Sequence, residues 1–414
     1  MQPERLIIIG NGMVGSRLLE ELLKRDRDRY HITLFGAEPH VAYNRILLSS
    51  LLAGDKSEAQ IMFHDRSWYQ QQQITLHLGE TVTTIDPIKH LVRSDRGTCL
   101  HYDKLVLATG SRPMVPPIPG HDLPGVIALR TLDDTRRLLD ACTDRRHAVV
   151  IGGGLLGLET AHGLLRQGMA VTVVHNSTHL MNRQLDETAA RLLQGHLEQQ
   201  GIRFMLNADT RVIEGDPLQG VSGVAFADGS RIDADLVVMA IGIRPNVDLA
   251  RQTGLAIGRG ITVDSQLRSS DPAIFAVGEC VELHGELFGL VAPLYQQARA
   301  LAEHLTGGSD DHFVPAVTST QLKVTGVDLF SAGDFTESTQ RQTLLYSDLA
   351  CGIYKKLVLQ DDRLIGAVLH GAVKDGNWYF DLIQNGTSVA GLRELLIFGS
   401  AFCAQEGAGT LQAA

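Results

Sequence analysis

Apolar and polar residues follow two different spacings near the start of the chain. The apolar run 6–9 stops at Gly10, and residues 13–23 then place apolar side chains three and four positions apart. A short apolar run bounded by a turn is typical of a buried strand, whereas spacings of three and four are typical of a helix. The β-rich run 31–35 follows. The pattern predicts a strand, a tight turn, a helix and a second strand, in the order of a βαβ unit.

The same pattern recurs in the middle of the chain. The apolar run 148–151 stops at Gly152, a helical stretch follows, and 170–174 is again β-rich. Each copy is closed by a further strand-like run, at 105–113 and at 235–245. Recurrence of the whole unit is far more specific than either copy alone. We predict an α/β protein with two Rossmann-like dinucleotide-binding domains.

Both turns have the spacing Gly-x-Gly-x-x-Gly. In such a loop the first glycine allows the tight turn, the second lets the backbone approach a pyrophosphate, and the third lets the helix pack on the strand. The helix start offers N–H groups to the phosphates. A single loop of this spacing can also be an ordinary glycine-rich turn that binds nothing. Two such loops indicate two nucleotide cofactors between which a hydride can pass. The candidate residues are Gly10, Gly12, Met13, Val14 and Gly15 in the first copy and Gly152, Gly154, Leu155, Leu156 and Gly157 in the second.

Turn-forming residues predict the domain boundaries. The proline-rich stretch 116–120 cannot continue a helix or a central strand, and 307–311 has the composition of a linker. Asp228 and Gly229 predict a hairpin inside the second unit. We predict a discontinuous FAD-binding domain, an NAD(P)H-binding domain and a C-terminal interface domain, with the boundaries 1–115 and 240–310, 116–239, and 311–414.

The tail carries no motif that can be tied to chemistry. Strand-like runs lie at 319–324, 353–359 and 364–369, and 389–402 has the pattern of a helix. This mixture predicts a smaller α+β C-terminal domain that covers a bound cofactor or meets a partner protein.

Two polar residues after the second strand are candidates for nucleotide contacts. An acid about 20 residues beyond the glycines commonly binds ribose hydroxyls, and Glu38 is the carboxylate at that place. A solvated loop glutamate is the alternative. Arg45 lies in apolar surroundings and is a candidate for a phosphate or a flavin oxygen, or for a surface ion pair.

Composition narrows the class of protein. The 414 residues are 44% hydrophobic and 20% charged, with a net charge of -10, which fits a globular protein and argues against nucleic-acid binding. No apolar run reaches the roughly 18 residues of a membrane span, and the first strand begins too early to leave room for a signal peptide. A cytoplasmic location is therefore expected. The five cysteines have no metal-ligand or Cys-x-x-Cys spacing, so neither a metal site nor a redox disulfide is predicted.

Longer motifs make the chain resemble the two-dinucleotide-binding-domain flavoprotein reductases, whose fold is glutathione-reductase-like. The likeness is strongest to the diaphorase part, which binds FAD and NAD(P)H, of the large subunit of assimilatory NAD(P)H-nitrite reductase. The motifs that carry it are residues 9–15, 108–110, 152–159, 242–245, 278–280 and 288–293. The resemblance implies that FAD binds at the first glycine loop and NAD(P)H at the second.

The resemblance also assigns roles to single residues. It implies that Thr109 and Gly110 flank FAD, that Glu279 meets the ribitol and that Glu159 lies near the nicotinamide. A helix cap is the alternative for Glu279, and an ordinary first-turn acid is the alternative for Glu159. Further implied cofactor contacts are Gly242 and Gly278, and near the isoalloxazine Val291, Ala292 and Pro293.

Several features depart from the family. Residues 36–37 precede Glu38 where an acid is usual, and Ser50 stands where ferredoxin-reductase relatives carry a lysine. NADH-preferring members place a glutamate where this chain has His175, with Arg183 further on. The choice between NADH and NADPH stays open, because a missing acid removes repulsion of a 2′-phosphate. Full nitrite reductases continue into iron–sulfur and sirohaem parts with paired cysteines, so nitrite reduction by this chain alone is not expected.

The expected reaction is hydride transfer from NAD(P)H to FAD, followed by electron transfer to a separate acceptor protein. No catalytic side chain is expected, since the cofactors carry the chemistry. The acceptor would be a nitrate or nitrite reductase, or a small iron–sulfur protein serving one. Alternatives are a rubredoxin or ferredoxin reductase of another pathway and a redox-sensing flavoprotein module. An NADH oxidase or peroxidase is disfavoured, because residues 41–50 contain no cysteine.

Overall fold

A computed structural model describes residues 3–308, 312–315, 317–322 and 326–404. The helices and strands are given in chain order, in four groups. The first group is β1 (Glu4–Ile9), α1 (Met13–Arg25), β2 (Tyr30–Gly36), α2 (Leu48–Leu52), α3 (Glu58–Ile61), α4 (Arg66–Gln71), β3 (Thr75–Leu78), β4 (Val82–Asp86), β5 (Leu91–Ser94), β6 (Cys99–His101), β7 (Lys104–Leu107) and β8 (Ser111–Pro113). The second is β9 (Val126–Ala128), α5 (Leu132–Asp144), β10 (His147–Ile151), α6 (Leu155–Arg166), β11 (Ala170–Val174), α7 (Glu187–Gln199), β12 (Arg203–Met205), β13 (Thr210–Asp216), β14 (Gly220–Phe226), β15 (Arg231–Asp233) and β16 (Leu236–Met239). The third is β17 (Ile243–Pro245), α8 (Asp248–Thr253), β18 (Ile261–Thr262), β19 (Ile274–Ala276), β20 (Val281–Leu283), β21 (Glu286–Leu287) and α9 (Val291–Leu305). The fourth is β22 (Ser319–Gln321), β23 (Leu329–Gly333), β24 (Gln342–Asp348), β25 (Ile353–Gln360), β26 (Arg363–His370) and α10 (Gly376–Asn385).

Two parallel sheets of the same design form the centre of the molecule. One has the strand order β19-β7-β1-β2-β3 and the other β12-β11-β10-β16-β9. Residues 6–9 of β1 and 148–151 of β10 are buried throughout, as expected of parallel strands covered on both faces. In each sheet the first βα turn of the unit lies at the carboxyl end of its central strand, which is where open α/β sheets bind ligands.

Short antiparallel elements surround these sheets. The strands β13, β14 and β15 form the hairpin region predicted from Asp228 and Gly229. Strands β8 and β17 pair as a two-stranded ribbon at the chain segments that leave and re-enter the first sheet. The domain division at residues 115 and 240 stays a prediction, although β19 returns to the first sheet after the second is complete.

The tail forms an antiparallel sheet with the order β22-β23-β26-β25-β24, and α10 packs on it. Tyr354 and Lys356 of β25 anchor this sheet to the start of α7. The Tyr354 hydroxyl donates to Asp186 Oδ2 at 2.6 Å, and Lys356 Nζ lies 3.4 Å from the same oxygen. The predicted strands at 353–359 and 364–369 are confirmed. The run at 319–324 begins as β22, while residues 323–325 and the linker residues 309–311 lie outside the described residues.

The helix predicted over 389–402 is wrong. Short 3-10 turns occupy Ala390–Leu392 and Leu396–Phe398, and helical structure resumes only at residue 400. Gly399 has φ +101°, a conformation that an α-helix does not contain. The regular helix of this region is α10, which the sequence pattern missed. In the described ranges no helix is long and apolar enough to span a bilayer.

Candidate functional site

A cavity of about 670 Å³ opens at the carboxyl end of the first parallel sheet. It receives residues from both glycine-loop units and from the start of α9. The predicted site residues that line it are Gly10, Gly12, Met13, Val14, Glu38, Arg45, Thr109, Gly110, Leu156, Gly278, Glu279 and Val291. A second cavity of about 430 Å³ adjoins it and shares Gly10, Thr109 and Asn246 in its wall. The two cavities therefore lie side by side at the first glycine loop.

The first loop has the geometry that a dinucleotide requires. Gly10 has φ +124°, and a Cβ there would lie 2.1 Å from the Ala108 carbonyl oxygen. A Cβ on Gly15 would lie 2.0 Å from the Gly10 oxygen, whereas a Cβ on Gly12 would meet nothing within 4 Å. The first and third glycines therefore serve packing, and the second leaves open space in the cavity wall. Gly12 also caps α1 without any side-chain hydrogen bond, so the helix start remains available to an anion.

Glu38 and Arg45 form an ion pair in the cavity wall. The Tyr43 hydroxyl donates to Glu38 Oε2 at 2.6 Å and accepts from the Leu132 backbone N–H at 3.0 Å. Burial raises the pKa of Tyr43. Burial opposes the charged form of Arg45, but Tyr43 and Glu38 outweigh it and raise the arginine pKa. Arg45 is thus both in an ion pair and in the cavity wall, and the partly exposed Glu38 carboxylate is held by Arg45 and Tyr43.

Glu279 is held by two residues that the sequence reasoning missed. Arg130 forms an ion pair with Glu279 Oε2, and the Ser111 hydroxyl donates to the same oxygen at 2.7 Å. Arg45 Nη1 donates to the Arg130 carbonyl at 3.0 Å, which links the two ion pairs. Glu279 does not cap α9, whose N-cap is Leu290. The signal for Ser111 was its place directly after Ala-Thr-Gly; Arg130 stood alone in an apolar run and gave none.

Asn246 is a further missed residue. Its side-chain amide donates to the Thr109 carbonyl at 2.8 Å, and the Thr109 hydroxyl donates to the Asn246 carbonyl at 2.9 Å. This reciprocal pair lies beside Gly110, whose carbonyl accepts from the Asn246 N–H at 2.9 Å. These hydrogen bonds hold the segment at residues 109–110 against Asn246, at the place where Thr109 and Asn246 line both cavities. Its position directly after Gly-Ile-Arg-Pro was the available signal.

The second loop repeats the geometry of the first. Gly152 has φ +124° and a Cβ there would lie 2.3 Å from the Ala240 oxygen, while a Cβ on Gly157 would lie 1.9 Å from the Gly152 oxygen. Gly154 faces open space and caps α6 without a side-chain bond. Gly242 also has φ +124° with nothing within 4 Å of its Cβ position.

Of the other predicted residues of the second unit, one lines the first cavity and the rest do not. Leu156 is 38% exposed and lines it, whereas Leu155 does not. Glu159 is buried in α6 and accepts a hydrogen bond from the Ser49 hydroxyl of α2 at 2.7 Å. His175 lies against the second glycine loop, where its Nδ1 accepts from the Gly153 N–H at 3.2 Å.

The start of α9 is only partly brought to the cavity. Val291, its first residue, lines the cavity. Ala292 is exposed and Pro293 is buried, and neither contributes to the cavity wall. The implied isoalloxazine contacts of Ala292 and Pro293 therefore have no support from this geometry.

The residues present suit two dinucleotides. In the first cavity, Asn11 Nδ2 is buried without a hydrogen-bond partner among the described residues, Gly12 leaves room, and α1 is uncapped. In the second loop, Gly154 leaves the same room, α6 is uncapped, and His175 Nε2 is buried without a hydrogen-bonding partner in the described part of the chain. Each loop thus offers donors and space for a pyrophosphate. These contacts match FAD and NAD(P)H in chemistry.

Comparison with known proteins identifies the family. Residues 4–302 match the model of the pyridine nucleotide-disulphide oxidoreductases. The chain belongs to this family. Residues 319–387 match a second model, the C-terminal domain of rubredoxin NAD+ reductase. This oxidoreductase depends on NAD(P)H and uses FAD, as the resemblance implied, and the predicted fold class is confirmed.

Two curated proteins and one solved structure show which members of the family this chain is similar to. The chain is 48% identical over 94% of its length to a nitrite reductase [NAD(P)H] of Bacillus subtilis, and 45% identical over 94% to the assimilatory nitrate reductase electron transfer subunit of the same organism. It spans about half of each relative, 48% and 51%. Among solved structures, a ferredoxin reductase from Rhodopseudomonas palustris is 28% identical, with a TM-score of 0.85 over 93% of this chain and 96% of that one.

The Tyr43→Phe substitution is expected to lower the free energy of unfolding by about 1–3 kcal/mol, because it leaves the buried Leu132 N–H without an acceptor and removes a donor to Glu38. Urea titration of the FAD-loaded protein measures the change. Tyr346→Phe is the matched control, since Tyr346 is 41% exposed. Equal stability of the two variants would contradict the assigned role of the Tyr43 hydroxyl.

Glu80, in the wall of the second cavity, is expected to make folding stability depend on acid pH. Hydrogen bonds from Ser94 and Thr98, with a further contribution from His77, lower its pKa from 4.5 to about 2. The folded pKa lies below the unfolded value, so the stabilisation is complete above about pH 4.5 and is lost as pH falls to about 2. Urea titration at successive pH values measures the difference in free energy of unfolding between the wild type and Glu80→Gln. This difference should decrease as pH falls from about 4.5 to about 2. A difference that stays constant would refute the assignment.

Proposed function

We propose that this chain oxidises NAD(P)H and passes the electrons through FAD to a separate redox protein, and that this partner is a nitrate or nitrite reductase or a small iron–sulfur protein serving one. We further propose the domain division predicted above. The relatives named as nitrite reductase and as electron transfer subunit support the direction of electron flow toward such an acceptor.

The observation that carries this proposal is the meeting of the two units at one cavity. Leu156, in the first turn of α6 beside the second glycine loop, lines the same cavity as Met13 and Val14 beside the first. A nucleotide on the second loop would therefore extend toward the space that the first loop serves. Two separate binding functions would not need this shared wall.

The protein supplies positions and environment for the chemistry. FAD, when bound, accepts a hydride from NAD(P)H and gives its electrons to an acceptor. Gly12 and Gly154 leave space for two pyrophosphates, and the uncapped starts of α1 and α6 direct N–H groups at them. Arg130 and Ser111 fix the carboxylate of Glu279 at the cavity wall.

Hydrogen bonds between the first and the second glycine-loop units hold the two sites in a fixed relative position. Ser49 of the first unit bonds to Glu159 of the second, and the Tyr43 hydroxyl bonds to the backbone of Leu132. Both contacts lie between α2 or its preceding turn and the second unit. Ser49 and Glu159 are both buried, so their hydrogen bond is shielded from solvent.

Anaerobic stopped-flow mixing tests the proposal. FAD-loaded protein mixed with NADH or NADPH should lose its flavin absorbance, and subsequent mixing with an oxidised nitrate or nitrite reductase should restore it faster than buffer does. Protein that neither nicotinamide bleaches is incompatible with the first step. Bleaching without faster reoxidation would reject the nitrogen-oxide reductases as acceptors.

A second candidate acceptor is a rubredoxin. It is favoured by the match of residues 319–387 to the rubredoxin reductase C-terminal model. The same two-step mixing with an oxidised rubredoxin distinguishes it: reoxidation by rubredoxin at least about tenfold faster than by a nitrate or nitrite reductase would favour this alternative.

A further inference from the structure

Two arginines lie opposite each other across the ribbon that β8 and β17 form. In the register of these antiparallel strands, Arg112 is the partner of Arg244. Side chains of directly opposed residues leave the same face of a β-ladder, and both arginines are exposed. The ribbon therefore carries two like charges side by side at its surface.

The charge of this pair is only partly neutralised. Arg112 Nη1 lies 2.6 Å from Asp248 Oδ2, and Arg251 Nη1 lies 2.8 Å from Asp248 Oδ1. The Arg244 guanidinium has no hydrogen bond or ion pair with the residues that the structure describes. We call Arg112, Arg244 and Arg251 the arginine patch. It is an excess of positive charge in a chain whose net charge is -10, and folding stability does not explain it, because like charges directly opposite each other destabilise a β-pair.

The backbone that carries the opposed pair is constrained. Each of the two arginines stands directly before a proline, Pro113 or Pro245, and a residue before proline is restricted to extended conformations. The Met114 N–H donates to the Gly242 carbonyl at 2.9 Å, which continues the contact between the two segments beyond the strands. Side chains on a backbone that is already fixed lose less conformational entropy when they bind a partner.

The ribbon forms part of the rim of the larger cavity. Ser111, Arg112 and Pro113 line this cavity. From the other strand, Ile243 Cδ1 would lie 3.9 Å from a Cβ built on Gly289, which lines the same cavity. The start of α9 follows two residues later, and the resemblance places the isoalloxazine near it. A protein bound at the arginine patch would therefore lie at the flavin end of the cavity.

Exposed apolar side chains accompany the charges. Val115, two residues after β8, is 39% exposed, and Leu287 of β21, two residues before Gly289, is 36% exposed. Protein interfaces combine apolar contacts with charged groups that steer the partner and set its orientation. The rim of the cavity offers both components.

We propose, on the basis of the electron-transfer function above, that the arginine patch docks the acceptor protein, and that this acceptor carries a cluster of carboxylates beside its redox centre. Guanidinium groups bind carboxylates through paired N–H donors, and the attraction raises the rate of productive encounter. The patch acts on encounter and orientation, and it adds no step to the transfer of electrons.

The sign of the salt dependence distinguishes docking at the patch from the effect of the net charge. Two proteins of negative net charge repel each other, so added salt speeds their reaction unless a local positive surface dominates the encounter. Docking of an acidic acceptor at the arginine patch requires the opposite result, a rate that falls as salt is added.

Stopped-flow mixing of FAD-loaded protein, reduced stoichiometrically with dithionite, with an oxidised rubredoxin of negative net charge tests the proposal without a nicotinamide. The second-order rate constant of the wild type should fall between about 20 mM and about 500 mM NaCl. Arg244→Glu should lower it on the order of tenfold at the lower salt concentration and should abolish or reverse the salt dependence. Arg244→Lys keeps the charge and should stay within about threefold of the wild type.

Two controls isolate the docking step. Arg203→Glu makes the same change of charge at an exposed arginine of β12 that lines neither described cavity, and its rate should stay within about twofold of the wild type. Benzoquinone, a small uncharged acceptor, should reoxidise all variants at the same rate, because it needs no docking surface. Flavin content and melting temperature of each variant separate misfolding from weakened docking.

Opposite outcomes overturn the inference. A wild-type rate that rises with salt excludes docking at the arginine patch, and so do equal rates in Arg244→Glu and Arg203→Glu. A reduced flavin that benzoquinone reoxidises and rubredoxin does not would also exclude it. Failure of the proposed function would appear differently: the dithionite-reduced protein would show the expected salt dependence, and neither NADH nor NADPH would bleach the flavin.

Discussion

Gly10→Ala is expected to abolish the stable, FAD-loaded form of the protein. Residue 10 has φ +124°, and the added methyl group would lie 2.1 Å from the carbonyl oxygen of Ala108. The backbone strain costs about 1–3 kcal/mol and the overlap with rigid backbone about as much again. A loss of about 3 kcal/mol or more is a large share of the roughly 5–15 kcal/mol that stabilises a domain. Flavin content after purification and the thermal unfolding midpoint measure the effect.

Gly97→Ala separates the two parts of this cost. Gly97 also has positive φ, +84°, but a Cβ there would meet nothing within 4 Å. It should lose only the dihedral contribution, about 1–2 kcal/mol, and keep its flavin. If Gly10→Ala proved as stable and as flavin-rich as Gly97→Ala, the close approach of the first loop to Ala108, directly after β7, would have no structural importance.

The parts of the fold that could be predicted are those that depend on the pattern of residues within one short segment. Leu6 to Ile9 form one uninterrupted apolar run ending at glycine, a pattern typical of a buried strand and its turn. Because the same run recurs at 148–151, the repeated pattern is sufficient to place both parallel sheets and both loops. The glycine roles followed from spacing alone, and the geometry at Gly10, Gly12 and Gly15 agrees with them.

The parts that were missed depend on contacts between residues far apart in sequence. Arg130 and Glu279 are 149 positions apart in the sequence. Arg130 follows β9 and Glu279 follows β19, which belong to two different sheets, and both residues line one cavity. A single arginine in an apolar run carries no sign of its partner. The tail helix was misplaced for a different reason: residues 389–402 have helical spacing, but Gly399 and the packing of Leu396 break the stretch into short turns.

The similarity of the two loops raises the question of whether their functions can be separated, and Gly154→Val is expected to separate them. Gly154 has extended backbone angles, φ -86° and ψ -176°, that valine also adopts, and nothing lies within 4 Å of its Cβ position. The fold should therefore survive, while the side chain fills the space that a pyrophosphate needs. FAD, held by the first loop, should be retained.

Reduction of the bound flavin by NADH should then fall by on the order of a hundredfold, the scale of loss that follows when a reactant is displaced by about 1 Å. Anaerobic stopped-flow absorbance measures it, and dithionite should still bleach the flavin at the wild-type rate. Gly195→Val is the matched control, because Gly195 lies on α7 of the same unit with nothing within 4 Å of its Cβ position and lines neither described cavity. Normal NADH reduction in Gly154→Val would place the nicotinamide cofactor elsewhere, and loss of FAD from it would mean that the second loop, not the first, holds the flavin. Different side chains surround the two loops: Glu38, Arg45 and Glu279 line the cavity at the first, and His175 lies against the second.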